Sequence, residues 1–148
     1  MIAEFREATR DDVPAVLDLL RDDVLGAGRE GGNVDYFGAF DAMQKEGNNR
    51  LIVGVLGDKI VATYQLTLIS GLSLRATRRA QLESVRVSSQ LRGSGLGQQL
   101  IADAEQRAQA AGCRLMQLTM NTSRTDAHRF YEANGFSPTH VGFKRNLG

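Results

Sequence analysis

The chain has 148 residues, 18 of them basic and 17 acidic, for a formal net charge of +1. That balance offers no electrostatic footing for nucleic acid or a membrane surface, and the length is that of one domain, residues 1–148, able to bury a real core. A single cysteine, Cys113, excludes an internal disulfide and fits a reducing compartment, so a cytoplasmic protein is expected.

No apolar run approaches a membrane span, and the charged amino end (Glu4, Arg6, Glu7) does not read as a leader. Residues 2–8 alternate weakly and predict a first strand. Thr9, Asp11 and Asp12 then offer caps, Pro14 suits a first turn, and Val13, Val16, Leu17 and Leu20 line a helical face. Residues 26–33 are the most glycine-rich part of the chain and read as a loop. Tyr36, Phe37, Phe40 and Met43 predict a second helix with its aromatic face in the core. Residues 50–56 and 59–69 flank Gly57-Asp58 and predict an antiparallel hairpin. Residues 72–80 carry Arg75, Arg78 and Arg79, either as a solvated hairpin tip or as a basic rim that attracts an anion. Cys113 reads as a small apolar residue ahead of a strand at 115–120, which Asn121 ends. Residues 137–147, with His140, Val141 and Phe143, predict the last one or two strands.

Residues 81–100 organise the rest. In the β-type run 82–87, Val85 and Val87 are expected to share a side with Glu83. After Ser88 and Ser89 comes Gln90-Leu91-Arg92-Gly93-Ser94-Gly95-Leu96-Gly97, and then the period turns helical, with Leu96, Leu100, Ile101, Ala104, Ala108 and Ala111 on one face. A strand, a glycine-rich turn and a helix start make an anion site from unpaired amides and the positive end of the helix dipole. A Walker loop is excluded, because Leu96 and Gln98 stand where lysine and a hydroxyl residue are needed. The dinucleotide fingerprint fails too, with Gln98 in place of its last glycine. The spacing Gln90-x-x-Gly93-x-Gly95 resembles the pyrophosphate loop of the GNAT superfamily of acetyl-CoA-dependent N-acyltransferases. Ala127, Phe130, Tyr131, Gly135 and Phe136 look like that superfamily's second signature, A-x-x-F-Y-x-x-x-G-F.

The resemblance implies a mixed α/β (α+β) fold, with a central, mostly antiparallel sheet of six or seven strands flanked by about four helices. It also implies acetyl-CoA as co-substrate, a small-molecule amine as acceptor and a homodimer, with no nucleic acid, membrane or metal partner. The amides of Arg92, Gly93, Ser94, Gly95, Leu96 and Gly97 would hold the pyrophosphate. The pantetheine arm would lie along Val85, Arg86 and Val87 like an added strand, with one amide aimed at the thioester oxygen. Asn121 would hold the same arm, and His128 would touch coenzyme or sheet. Tyr131, a phenol protonated at neutral pH, is the expected general acid toward the leaving thiolate. Glu83 is the expected base, either taking the ammonium proton or binding the ammonium and passing that proton to water. Residues 26–33 would form a wall of the acceptor site or a mobile lid, and His140 would face the acceptor.

The run from Asn121 to Tyr131, with Arg124, Asp126, Ala127 and His128, and the ending Thr139-His140-Val141-Gly142-Phe143-Lys144 look like the aminoalkylphosphonate N-acetyltransferase branch. That implies an anionic primary amine as acceptor, read by Arg75, Arg78 or Arg79. Two alternatives are an N-acetyltransferase acting on a protein terminus or lysine, and a non-catalytic module that binds coenzyme A.

Overall fold

The computed structural model describes residues 1–148. It orders them as β1 (Glu4–Glu7), α1 (Val13–Leu20), α2 (Val24–Arg29), α3 (Tyr36–Glu46), β2 (Asn49–Leu56), β3 (Lys59–Ile69), α4 (Ser73–Ala76), β4 (Arg79–Val87), α5 (Leu96–Ala110), β5 (Leu115–Leu118) and α6 (Thr125–Ala133). One sheet runs in the order β1-β2-β3-β4-β5. Its first three pairings are antiparallel, and only β4 with β5 is parallel. No helix is long and apolar enough to cross a membrane.

The mixed, mostly antiparallel sheet agrees with expectation, but it has five strands rather than six or seven. The difference lies in residues 137–148, which form no strand and are exposed throughout. Their alternation is that of a strand, but no neighbour accepts their backbone, and alternation alone cannot supply one. The glycine-rich segment is also corrected, because residues 26–29 close α2. The Asp23 carboxylate accepts from the Gly26 amide at 2.6 Å, a cap that outweighs the low helix propensity of two glycines.

The sheet is covered on both faces. On one, Ile52, Tyr64, Leu66, Ala80 and Leu82 pack against Leu100, Ile101, Ala104 and Ala108 of α5. Buried Tyr64 donates to Asp103 at 2.5 Å, and Arg107 grips the same carboxylate at 2.8 Å and the Phe5 carbonyl at 3.1 Å. Burial and that carboxylate push the Tyr64 phenol far up, so it stays a neutral donor. On the other face Ala8, Val13, Val16, Phe40 and Val53 join α1 and α3 to the sheet.

One irregularity in β4 positions everything that follows. The register passes from Gln65↔Glu83 to Thr63↔Arg86, so β4 carries one residue more than β3 there. Ser84 takes the extra turn at φ +53°. Past it the faces exchange: Val85 and Val87 join Leu82 on the α5 side, whereas Glu83 stays with Gln81 opposite. The expectation that Val85, Val87 and Glu83 share a side is therefore wrong, because strict alternation holds only without a bulge.

Candidate active site

β4 and β5 part company before β4 ends. Their last matched residues are Leu82 and Leu118, while β4 continues to Val87. Val85, Arg86 and Val87 thus line an opening with no strand beside them on that edge. An edge of this kind accepts an extended polar chain by strand addition.

At the end of β4 the chain passes through a short turn, Ser89–Leu91, into the glycine loop. Gly93 and Gly95 sit at φ +80° and +90°, a region closed to most side chains. The first backbone bond of α5 is from Gln99 to Gly95, at 3.2 Å. The amides of Arg92, Gly93, Gly95, Leu96 and Gly97 consequently donate to nothing in the chain, and only the Ser94 amide is used, toward Leu91. Five free amides at the start of a fifteen-residue helix suit a doubly charged phosphate group. The loop is braced from outside: Asp22 accepts from the Ser89 amide at 2.7 Å and its hydroxyl at 2.8 Å, and the Arg92 guanidinium donates to the Asp22 carbonyl at 3.0 Å. Those Ser89 bonds hold the Asp22 carboxyl below its ordinary range. The Arg92 side chain is therefore occupied, leaving its amide for a ligand.

Gly97 has a different task. A Cβ there would stand 2.9 Å from the Phe130 ring of α6. The absent side chain lets α6 lie against the first turn of α5, so the two sequence signatures touch through this pair. Phe130 meets Tyr131 edge to face at 5.3 Å, and Tyr131 meets Phe136 likewise at 5.7 Å. Tyr131 is half-buried, and its hydroxyl makes no hydrogen bond within the chain. Burial raises its pKa, against the opposing pull of the Arg86 and Arg124 charges.

Those two arginines are joined by Asp23, from the turn before α2. Its Oδ2 lies 2.7 Å from Arg124 and 3.3 Å from Arg86, with the Asp23 and Arg86 side chains almost wholly buried. Charge holds the cluster more than aligned hydrogen bonds do, since neither Asp23 Oδ2 nor Arg86 Nε has a hydrogen-bond partner. Burial alone would raise the Asp23 pKa, but the Gly26 amide and both arginines outweigh it and lower it. Burial lowers that of Arg86. Sequence reading missed Asp22 and Asp23 altogether. The only signal was two adjacent acids just past a helix end, and nothing local pairs them with residues over sixty positions away.

The opposite face of the sheet carries a chain of polar side chains. Arg79 reaches Gln117 at 3.5 Å, Gln117 donates to Gln81 at 2.7 Å, and Gln81 donates to Glu83 at 3.2 Å. Glu83 is exposed. Beside it Ser84, Thr63 and Gln65 help line a pocket of about 120 Å³ whose other wall is Leu20, Tyr36, Phe40 and Met43. Tyr36, expected in the core, lines this pocket and ties its hydroxyl to the Gly31 amide at 2.8 Å and to Glu30 at 3.1 Å. The loop after α2 is thereby fastened to the wall.

The remaining expected residues scatter. Asn121 is exposed and turns its Oδ1 onto the Ser123 amide and hydroxyl, at 3.0 and 2.7 Å, leaving its NH₂ free. His128 pairs with Glu132 at 2.9 Å along the outside of α6. His140 lies on the exposed tail and not in a strand. Of the three arginines, Arg79 shares the face of Glu83, Arg78 bonds Ser70 at 2.8 Å, and Arg75 sits on the exposed left-handed turn of α4. Cys113 is buried.

Residues 13–136 match the family model described as "Acetyltransferase (GNAT) family". The chain is 29% identical to the aminoalkylphosphonate N-acetyltransferase of Salmonella typhimurium, over 99% of its own length and 92% of the relative's. Among solved structures it resembles a transcriptional regulator from Bacillus halodurans, at 42% identity and a TM-score of 0.93, covering 98% of this chain and 99% of the other. It also shares the fold of glucosamine-6-phosphate N-acetyltransferase from Arabidopsis thaliana, at 19% identity and a TM-score of 0.81 over the whole of both chains.

Proposed function

This chain belongs to the acetyltransferase (GNAT) family and is an N-acetyltransferase, and from that premise we propose that it moves the acetyl group of acetyl-CoA to the primary amine of a small anionic molecule, such as an aminoalkylphosphonate, by direct attack with both substrates bound. The observation that carries the reading is the gap beyond Leu82 and Leu118: free loop amides lie at one end, Tyr131 toward α5, and Glu83 on the far face beside a small pocket. Residues 1–148 act as one catalytic domain, in the cytoplasm, where the free thiol of Cys113 is at home.

The residues present fit the coenzyme. The loop amides match a pyrophosphate, and the unpaired β4 edge matches the amides of pantetheine. The thioester supplies an activated carbonyl carbon, and the chain's residues do the rest. A β4 amide near Val85 donates to the carbonyl oxygen as negative charge develops there, an effect worth ~3 kcal/mol of barrier when preorganised. Glu83 binds the incoming ammonium and passes its proton to water, so the free amine forms the C–N bond. As the C–S bond breaks, Tyr131 gives its phenolic proton to the sulfur. Burial keeps Tyr131 protonated at neutral pH, while Arg86 and Arg124 ease the charge left on its oxygen.

Two observations support an anionic acceptor: the name of the Salmonella relative, and Arg79 on the face of Glu83. The pocket beside Glu83, about 120 Å³ and mostly apolar in its walls, has room for a small amine. The test is thiol release from acetyl-CoA with aminoalkylphosphonates, amino acids, polyamines, aminoglycosides and a lysine peptide. Turnover confined to phosphonates is the expected result. Turnover on the peptide alone would overturn the small-molecule reading, and acetyl-CoA binding without any turnover would overturn catalysis.

A further inference from the structure

Asp23 leaves a positive charge uncompensated. Its Oδ2 faces two guanidinium groups, Arg124 at 2.7 Å and Arg86 at 3.3 Å, and its Oδ1 is taken by the Gly26 amide at 2.6 Å. Arg29, another cation acting on Arg86, has its own partner in Glu30 at 3.4 Å. One charge is left over in a largely buried spot, where it attracts an anion more strongly than at an open surface. Donors are left over as well. Arg86 gives Nη1 to the Val85 carbonyl at 3.0 Å, and its Nη2 gives to nothing in the chain. Arg124 turns Nη2 to Asp23, so its Nε and Nη1 are free. Of the nitrogens without a partner on this pair, only Arg86 Nε is sealed from solvent.

Their place suits the acceptor. Arg86 stands across from Thr63 in the β3–β4 register, so the two share a face, with Cβ atoms about 5 Å apart. Thr63 and Ser84 line the small pocket beside Glu83. The bond to the Val85 carbonyl holds the Arg86 guanidinium next to the segment proposed for the thioester. Arg124 comes from the far side of the opening, between β5 and α6, and Asp23 draws it to Arg86. Arg79 shares the face of Glu83 but precedes it by four residues, roughly 13 Å at the rise of a strand, and leans on Gln117. It can draw an anion in, but it stands too far back to touch one held beside Ser84.

We propose that Arg86 and Arg124, aligned by Asp23, grip the anionic group of the acceptor amine. Three free donors on two guanidinium planes take a phosphonate in preference to a carboxylate, because the third oxygen of a phosphonate occupies the donor that a carboxylate leaves unused. The amine then points back along the Glu83 face toward the thioester. Asp23 is a positioning residue, which holds the two cations together without meeting the substrate. This assignment rests on the acceptor reading above and names the residues that decide it.

The test compares two acceptors of one length, 2-aminoethylphosphonate and propylamine, by the ratio of their kcat/KM values. Whatever the arginines do for Tyr131 affects both acceptors and cancels in that ratio. The wild-type chain should prefer the phosphonate, and Arg124→Gln should cut the preference about thirtyfold, as expected for a lost charged donor. Arg124→Lys keeps the charge without the fork and should restore part of it. Arg79→Gln, screened at its distance, should change it less than about threefold. Equal losses for both acceptors in Arg124→Gln, or a collapse of the preference in Arg79→Gln instead, overturn the proposal and leave the acetyltransferase reading intact. A second measurement needs no turnover. With coenzyme A bound, 2-aminoethylphosphonate should shift the side-chain Nε–H resonances of Arg86 and Arg124 in NMR spectra, and propylamine should shift neither. Resonances that stay in place overturn the anion site. Shifts without acetyl transfer to any amine support the site and overturn the acceptor reading.

Discussion

The two sides of the β4–β5 opening are built from different materials. On the α5 side the glycine loop works through its backbone: free amides, two left-handed glycines, and a third that leaves room for a ring. On the Glu83 side the work falls to side chains borrowed from three strands and two helices, held by a bulge and a row of amide contacts. A backbone site needs particular residues at particular spacings, because only glycine tolerates the geometry. A side-chain site needs only that polar groups arrive together, which many sequences can arrange. The seam between the two is Asp23, whose charge holds Arg86 of β4 to Arg124 before α6.

Breaking the seam should cost most. Asp23→Asn leaves the nearly buried Arg86 guanidinium facing that of the partly exposed Arg124 with no carboxylate between them, and a loss of about 3 kcal/mol in stability at pH 7 is expected from denaturant titration. The sign with pH follows from its lowered folded pKa. The carboxylate's contribution is complete above the ordinary aspartate value of 3.8 and is lost as pH falls through the lower folded value, so wild type and variant should converge in acid. Curves that stay parallel below that range would show that the charge is not what the seam uses.

Tyr131→Phe keeps the ring against Phe130 and Phe136 and removes the proton. A fall in kcat of about a hundredfold is expected, with the Kd for acetyl-CoA unchanged. Equal losses in binding and turnover would move Tyr131 from chemistry to packing. Gly97→Ala tests the backbone side, since its Cβ would meet the Phe130 ring at 2.9 Å. The expected cost is about 2 kcal/mol, with weaker acetyl-CoA binding, and a second change, Phe130→Leu, should recover part of it. The smallest effect belongs to Glu83→Gln. An exposed carboxylate that binds an ammonium and hands its proton to water should be worth roughly fivefold in kcat/KM, falling mostly on the KM of the amine. A thousandfold loss in kcat would instead make Glu83 a direct base.

The unequal legibility of the two sides has the same origin. The glycine loop, α5 and its buried face, the β2–β3 hairpin and the contact of Tyr131 with the core could all be read locally. Each follows from periodicity or from a conformation that only certain residues reach. The opposite orientations of Glu83 and Val85 could not. A bulge at Ser84, an ordinary residue at φ +53°, is imposed by the pairing of β3 with β4 and leaves no mark in composition. Nor could the Asp23 cluster be read, because its partners lie far apart in sequence and meet only after α2 and α6 have packed. The tail erred in the other direction. Its alternation is genuine, but a strand exists only where another backbone accepts its hydrogen bonds, and that depends on neighbours in space. The sequence by itself determined the pieces whose conformations are local: α1, α3 and α5, the hairpin and the glycine loop. Tertiary structure alone decided which side chains face one another across the opening, because strand register and helix docking are properties of pairs of elements.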